Sequence, residues 1–161
     1  MIKKEYWIEK LGLIPHPEGG FYKELPSSTD MLEEKNKPLY TTIYFLLTES
    51  NPSHFHQLTS DEIWYFHYGS SLTVHELLEE GVYKQTSVGL NIETGDVLQY
   101  TVEKRSIFGS SVETGYALVS CMVSPGFTFD DFKLFTKEEL LLSHPNHSEI
   151  IQKLAFDKIE G

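Results

Sequence analysis

The chain has one cysteine, Cys121, so no disulfide forms within it. At 161 residues it buries a core large enough to stand without such staples. Cys121 lies in the apolar run Ala117 to Val123, where a thiol is ordinarily inert packing and a reducing compartment suits it. Positive charge is also scarce: 13 Lys and Arg against 24 Asp and Glu give a formal charge of -11. Such a field repels phosphate backbones and excludes nucleic acid as a partner. Long hydrophobic runs are missing, and the stretch Ile43 to Leu47 is far too short to span a bilayer. Glu5 and Glu9 interrupt what would be the apolar segment of a signal peptide. The expectation is a cytoplasmic protein with no membrane partner. There is no glycine-rich phosphate loop, nucleophile elbow or cysteine metal pair. With no repeat and no linker, residues 1–161 read as one domain.

What the chain does have is aromatic and apolar residues, 13% and 40%, which favours a β-rich packed interior. Tyr6, Trp7, Ile8 and Leu11 form a helix-like stripe that Gly12 ends. The segment from Leu13 to Tyr22 holds two prolines and two glycines and reads as a stiff loop leading into a strand. Ser27 to Lys37 reads as a polar surface loop. Expected strands are Tyr40–Leu47, Ser53–His56, Glu62–Tyr68, Leu72–Leu78, Val82–Gly89, Val97–Val102, Ser106–Ser111 and Tyr116–Val123. Short strands at this even spacing predict a sandwich or closed barrel with its core over about residues 39–124. Thr136-Lys137-Glu138-Glu139 is a capping box, and Asn146 to Glu149 gives a second start signal, so helices fill about 136–158. His144 and His147 read as surface residues.

His54-Phe55-His56, followed by Glu62 and Gly69, is the most specific chemical pattern. Side chains alternate along a strand, so His54 and His56 are expected on one face. With Glu62 they supply two imidazoles and a carboxylate, enough for a divalent metal with open positions, or a base and an anchor for an organic ligand. The same alternation puts Trp64, Phe66 and Tyr68 inward with Glu62, and Ile63, Tyr65 and His67 outward. Trp64 and Tyr68 then form a ligand-binding wall. His67 and His75 are expected on the outer face or at a dimer contact. Glu18 and Tyr22, on the stiff loop, are placed over the barrel mouth.

These residues resemble the first motif of the cupin superfamily, with Glu62 to Gly69 at the usual spacing. The gap between His56 and Glu62 is one residue longer than the common form, unless Asp61 takes the acidic place. In the second motif Gly95 fits, Glu103 and Arg105 replace Pro and Gly, and Phe108 stands where the fourth ligand, a His, is expected. Leu13-Ile14-Pro15-His16-Pro17-Glu18-Gly19-Gly20-Phe21-Tyr22, Ile43 to Leu47, Ser60 to Trp64 and Val123 to Phe127 narrow the resemblance to the cupin 5 (formerly DUF985) family. That resemblance implies an all-β double-stranded β-helix, a jelly-roll-like barrel with short N-terminal and C-terminal helices. It also implies a homodimer and a pocket inside the barrel, and the fold is similar to that of sugar-nucleotide epimerases.

The functional expectation is a small-molecule-binding cupin with isomerase or epimerase activity on a sugar-like or polar carbonyl substrate. His54 or His56 removes a proton, Glu62 orients the imidazole and Tyr68 returns the proton; no cofactor is required. Trp64, Glu18, Tyr22 and Phe108 are the expected ligand contacts. The alternatives are an oxygenase or lyase with Fe, Mn, Ni or Zn on His54, His56 and Glu62, and a binding module without catalysis.

Overall fold

Two facing antiparallel sheets make the body of the molecule, seen in a computed structural model that describes residues 1–160. Helix α1 (Lys4–Leu11) opens the chain, and Gly12 ends it in the left-handed region at φ 67°. Strands β1 (Ile14–Pro15) and β2 (Phe21–Glu24) follow. The expected polar loop contains a small hairpin, β3 (Met31–Leu32) with β4 (Lys37–Pro38). Then come β5 (Thr41–Thr48), β6 (Ser53–Gln57), β7 (Asp61–Gly69) and β8 (Leu72–Leu77). The barrel continues through β9 (Tyr83–Val88), β10 (Gln99–Val102), β11 (Ile107–Val112) and β12 (Tyr116–Ser124). A short β13 (Lys133–Leu134), which the sequence did not suggest, precedes α2 (Lys137–Ser143) and α3 (Ser148–Leu154).

One sheet runs β1-β2-β5-β12-β7-β10, the other β13-β6-β11-β8-β9. Inward residues of both, among them Phe45, Leu47, Trp64, Val74, Phe108 and Val119, form the core between them. Each fully buried side chain of this size contributes roughly 1.5–3 kcal/mol. The outer face of the first sheet carries Leu46 and Leu118 under α1. The outer face of the second carries Phe55 and Leu77 under Leu140, Ile151 and Leu154 of α2 and α3.

The Thr136 capping box forms as expected, with Glu139 N–H donating to Thr136 Oγ1 and Thr136 N–H to Glu139 Oε2. Asn146 does not cap α3; it lies in a 3-10 turn, Pro145–His147. His144 and His147 are not free surface groups: their Nε2 atoms bond Leu78 O at 2.6 Å and Gly81 O at 2.9 Å. They tie the terminal helices to the turn after β8. His75 faces outward as expected but is buried beneath that layer, between Tyr83 Oη and Ser111 Oγ.

Two irregularities in strand pairing decide what reaches the interior. Between β6 and β11, Phe108 pairs with His56 and Ser110 with Ser53, so β6 carries an extra residue. Between β7 and β12, Tyr68 pairs with Leu118 but Phe66 with Val119, so β7 carries one too. A bulge of this kind reverses the alternation of every side chain beyond it.

Candidate functional site

The chain from His16 to Gly20 closes a tight loop, His16 N–H donating to Gly20 O and Gly19 N–H to His16 O. Gly19 (φ 108°) and Gly20 (φ 77°) are required twice over, by positive φ and by proximity. A Cβ at Gly19 would strike the carbonyl oxygen of Pro52, and one at Gly20 would lie 2.6 Å from Leu47 Cδ2. This close approach lays Glu18 against β6.

Both histidines of the His-X-His pair then serve Glu18, in different ways. The backbone N–H of His54 and its Nδ1–H both donate to Glu18 O, each at 2.7 Å. The His54 ring stacks on Phe156, 3.8 Å between centroids, and does not line the cavity. The β6 bulge is the reason: it puts Ser53 and His56 in phase and turns His54 away. Ser53 Oγ donates to Glu18 Oε1 at 3.0 Å, and His56 Nε2 stands 3.0 Å from Glu18 Oε2.

His56 Nδ1 contacts His54 O at 2.7 Å. A carbonyl only accepts, so Nδ1 carries the hydrogen and a neutral His56 has a bare Nε2. The proton between Nε2 and Oε2 therefore comes from a Glu18 carboxylic acid. Burial supports this state on both sides. It drives His56 down to about 3 and, aided by the charge of Glu62, raises Glu18 well above the usual carboxyl range. His16 Nδ1 accepts from Glu18 N–H at 3.1 Å, and burial holds this ring neutral, down to about 4.

Glu18, His56, Glu62 and Cys121 together border a cavity of about 170 Å³. His16 and Tyr22 also line it, as do Leu25, Thr42, Phe127 and the exposed Glu24. Glu62 enters from β7, and Asp61, its neighbour, is exposed and accepts Lys104 N–H at 2.8 Å, so Glu62 holds the acidic position. Burial raises Glu62 to about 7. The Cys121 thiol and Trp64 indole beside it favour its charged form, although Trp64 Nε1 is left without a hydrogen-bond partner.

Glu18, Tyr22, His56 and Glu62 thus meet around one space, and Trp64 and Phe108 stand behind it. Phe108 packs on the His56 ring at 4.2 Å and is fully buried. Tyr68 is outside: past the β7 bulge it joins Leu118 and Trp7 beneath α1, and its Oη accepts Ile2 N–H. His67 is outward, bonded to Ser120 Oγ. The sequence reading missed His16 and Cys121. His16 sits among Tyr22, Phe45, Phe129 and Phe132, and nothing in the spacing of these residues points to that cluster.

A metal on two histidines and Glu62 does not fit these residues. His54 faces Phe156, the one bare nitrogen of His56 is engaged by Glu18, and Phe108 occupies the fourth position. Among the described residues no group of three or more His, Cys, Asp or Glu is arranged to hold an ion.

Comparison with known proteins bears on the fold and family. The chain is similar to protein SO0799 of Shewanella oneidensis, with 44% identity and a TM-score of 0.94 over 98% of this chain and 100% of that one. It is similar to a hypothetical protein from Leishmania major, 42% identical with a TM-score of 0.91, covering 96% and 99% of the two chains. The uncharacterized protein YML079W of Saccharomyces cerevisiae is 31% identical, over 89% of this chain and 80% of that protein. The family described as Cupin superfamily (DUF985) matches residues 5–135, and with that match the double-stranded β-helix is accounted for: the chain belongs to this cupin family.

Proposed function

We propose that this chain is a small-molecule-binding cupin that transfers protons on a small polar carbonyl compound, as an isomerase or epimerase does. The observation that carries this reading is the contrast between two buried carboxyl groups of one cavity. Glu18 is held as an acid against His56, while Glu62 is poised at about 7. Groups pushed to different protonation states in a shared site are suited to acid and base roles.

In this mechanism Glu62 takes a proton from the carbon next to the carbonyl. The proton held between Glu18 Oε2 and His56 Nε2 serves the carbonyl oxygen as negative charge develops there. Return of the proton from Glu62 to the former carbonyl carbon, while the neighbouring hydroxyl gives its proton back to the Glu18–His56 pair and becomes the new carbonyl, completes a 1,2-shift. Return to the same carbon from the other side would need a second acid. The roles differ from those expected for Glu62 as an orienting group and Tyr68 as the acid. Glu18 orients His56, and Tyr68 lies beneath α1.

The test is deuterium uptake from D₂O by small hydroxyaldehydes and hydroxyketones, followed by NMR. Uptake that Glu62→Gln abolishes supports the mechanism. A compound that binds in the cavity and takes up no deuterium would make the chain a binding module without catalysis.

A further inference from the structure

The residues bordering the cavity include three carboxyl groups, Glu18, Glu24 and Glu62, and no lysine or arginine. Glu18 is neutralised by the proton it shares with His56. Glu62 is 7% exposed, and the ion-pair contacts of the cavity run between Glu18 and two histidines, leaving Glu62 without one. Its flank offers only a thiol and an indole whose Nε1 has no partner. Lys37, on β4, is already paired with Asp131 at 2.5 Å. Buried charges are ordinarily paired, and among the described residues Glu62 has no Lys or Arg partner.

We infer that the ligand of this cavity carries no negative charge: it is a small polar carbonyl compound bearing hydroxyl or amine groups, and carboxylates and phosphate esters are excluded. The word carbonyl rests on the acid–base reading above; the charge rule does not. An anion placed near Glu62 would meet a like charge in a region of reduced dielectric. A carboxylate or phosphate ligand ordinarily finds an Arg fork, a Lys or a helix N-terminus. None of the first two borders this cavity, and its walls are strands and loops.

Cys121 makes the rule testable before any ligand is known, because the chain's one thiol borders the cavity beside Glu62. The 2-hydroxyethyl, 2-aminoethyl and 2-sulfonatoethyl methanethiosulfonates carry neutral, positive and negative groups on similar frames. In each case the Cys121 thiolate attacks the sulfenyl sulfur and a new S–S bond forms. Methanesulfinate leaves with the bonding pair, and the thiol proton goes to solvent. Intact-mass spectrometry reads the rate, normalised to the same reagent's rate with 2-mercaptoethanol. At about pH 8.5, above the about 7 of Glu62, where this carboxylate is charged, the neutral and cationic reagents should label Cys121, with the anionic one at least about tenfold slower. In Glu24→Gln and Glu62→Gln the anionic rate should rise relative to the neutral one. Equal or faster anionic labelling overturns the inference. Because burial and Glu62 push the Cys121 thiol up, rates too slow to compare are read again at higher pH, where the thiolate fraction grows for all three reagents alike. Anionic exclusion undiminished in both variants also overturns it, since shape would then be the cause. Failure of deuterium exchange leaves every one of these outcomes readable.

Discussion

His56 Nε2 lies 3.0 Å from Glu18 Oε2 while His56 Nδ1 is committed to the carbonyl of His54. With one nitrogen fixed as a donor, the protonation of Glu18 is determined by its neighbour. Glu18→Gln should preserve the contact, its amide donating to Nε2 and its carbonyl accepting from Ser53, with a change in stability of under about 1 kcal/mol. Glu18→Ala leaves a buried nitrogen unpaired and should cost about 1–3 kcal/mol. Urea denaturation of the two variants measures the difference, and equal losses would show the pair to be unimportant to the fold.

Glu62 gives stability a pH dependence whose sign is opposite to that of a paired surface carboxylate. Its folded pKa, about 7, lies above the ordinary 4.5. The folded state therefore holds the proton more tightly than the unfolded chain, and stability from this group is lost as pH rises from about 4.5 to 7. Glu62→Gln removes that loss. The variant's stability relative to the parent should climb across this window and level off above about 7. A flat difference curve would place the pKa elsewhere.

His16, His56 and His75 act in the other direction. Burial lowers them to about 4, about 3 and about 4, so each folds neutral and the unfolded chain takes up more protons below about 6.5. Their contribution is complete above about 6.5 and is lost as pH falls toward 4. Denaturation midpoints should drop steeply over that range. Replacing His75 by Gln, outside the cavity, should soften the slope without altering ligand binding.

Tyr68→Phe removes only a hydrogen bond to Ile2 N–H on the outer face. It should change stability by less than about 1 kcal/mol and leave deuterium exchange at the parent rate. A large loss of exchange would return Tyr68 to the catalytic group.

Gly109 faces the β6 bulge, and a Cβ there would lie 2.8 Å from Ser53 O and 3.2 Å from Phe55 N. Gly109→Ala should press on the bulge, costing about 1–3 kcal/mol. Because the bulge sets the phase of His56, binding should weaken along with the midpoint. A variant that keeps both would show the strand pairing to be more pliable than the contacts suggest.

The fold was legible because the strands announce themselves: each of the eight expected between Tyr40 and Val123 overlaps an observed strand. The site was legible only in part. Glu18, Tyr22, His56 and Glu62 were marked by loop stiffness or motif spacing and do come together. His54 and Tyr68 were misplaced for one shared reason, a single extra residue in β6 and another in β7. Alternation is a property of unbroken pairing, and neither bulge shows in the residues that form it. Cys121 sits inward with Phe45 and Trp64, and its apolar flanks concealed the polar neighbour across the sheet.

Glu18, the acid in the proposed mechanism, arrives from outside the strands that carry the cupin motif. Glu18 belongs to the strap ahead of β2, held by His54 and two glycines. The barrel thus behaves as a socket and the strap as an exchangeable insert. A protein with the same strands and a different strap would keep the strand walls of the chamber and lose the Glu18 carboxyl from it. Grafting this strap onto such a barrel would require the bulge and Gly109 to travel with it.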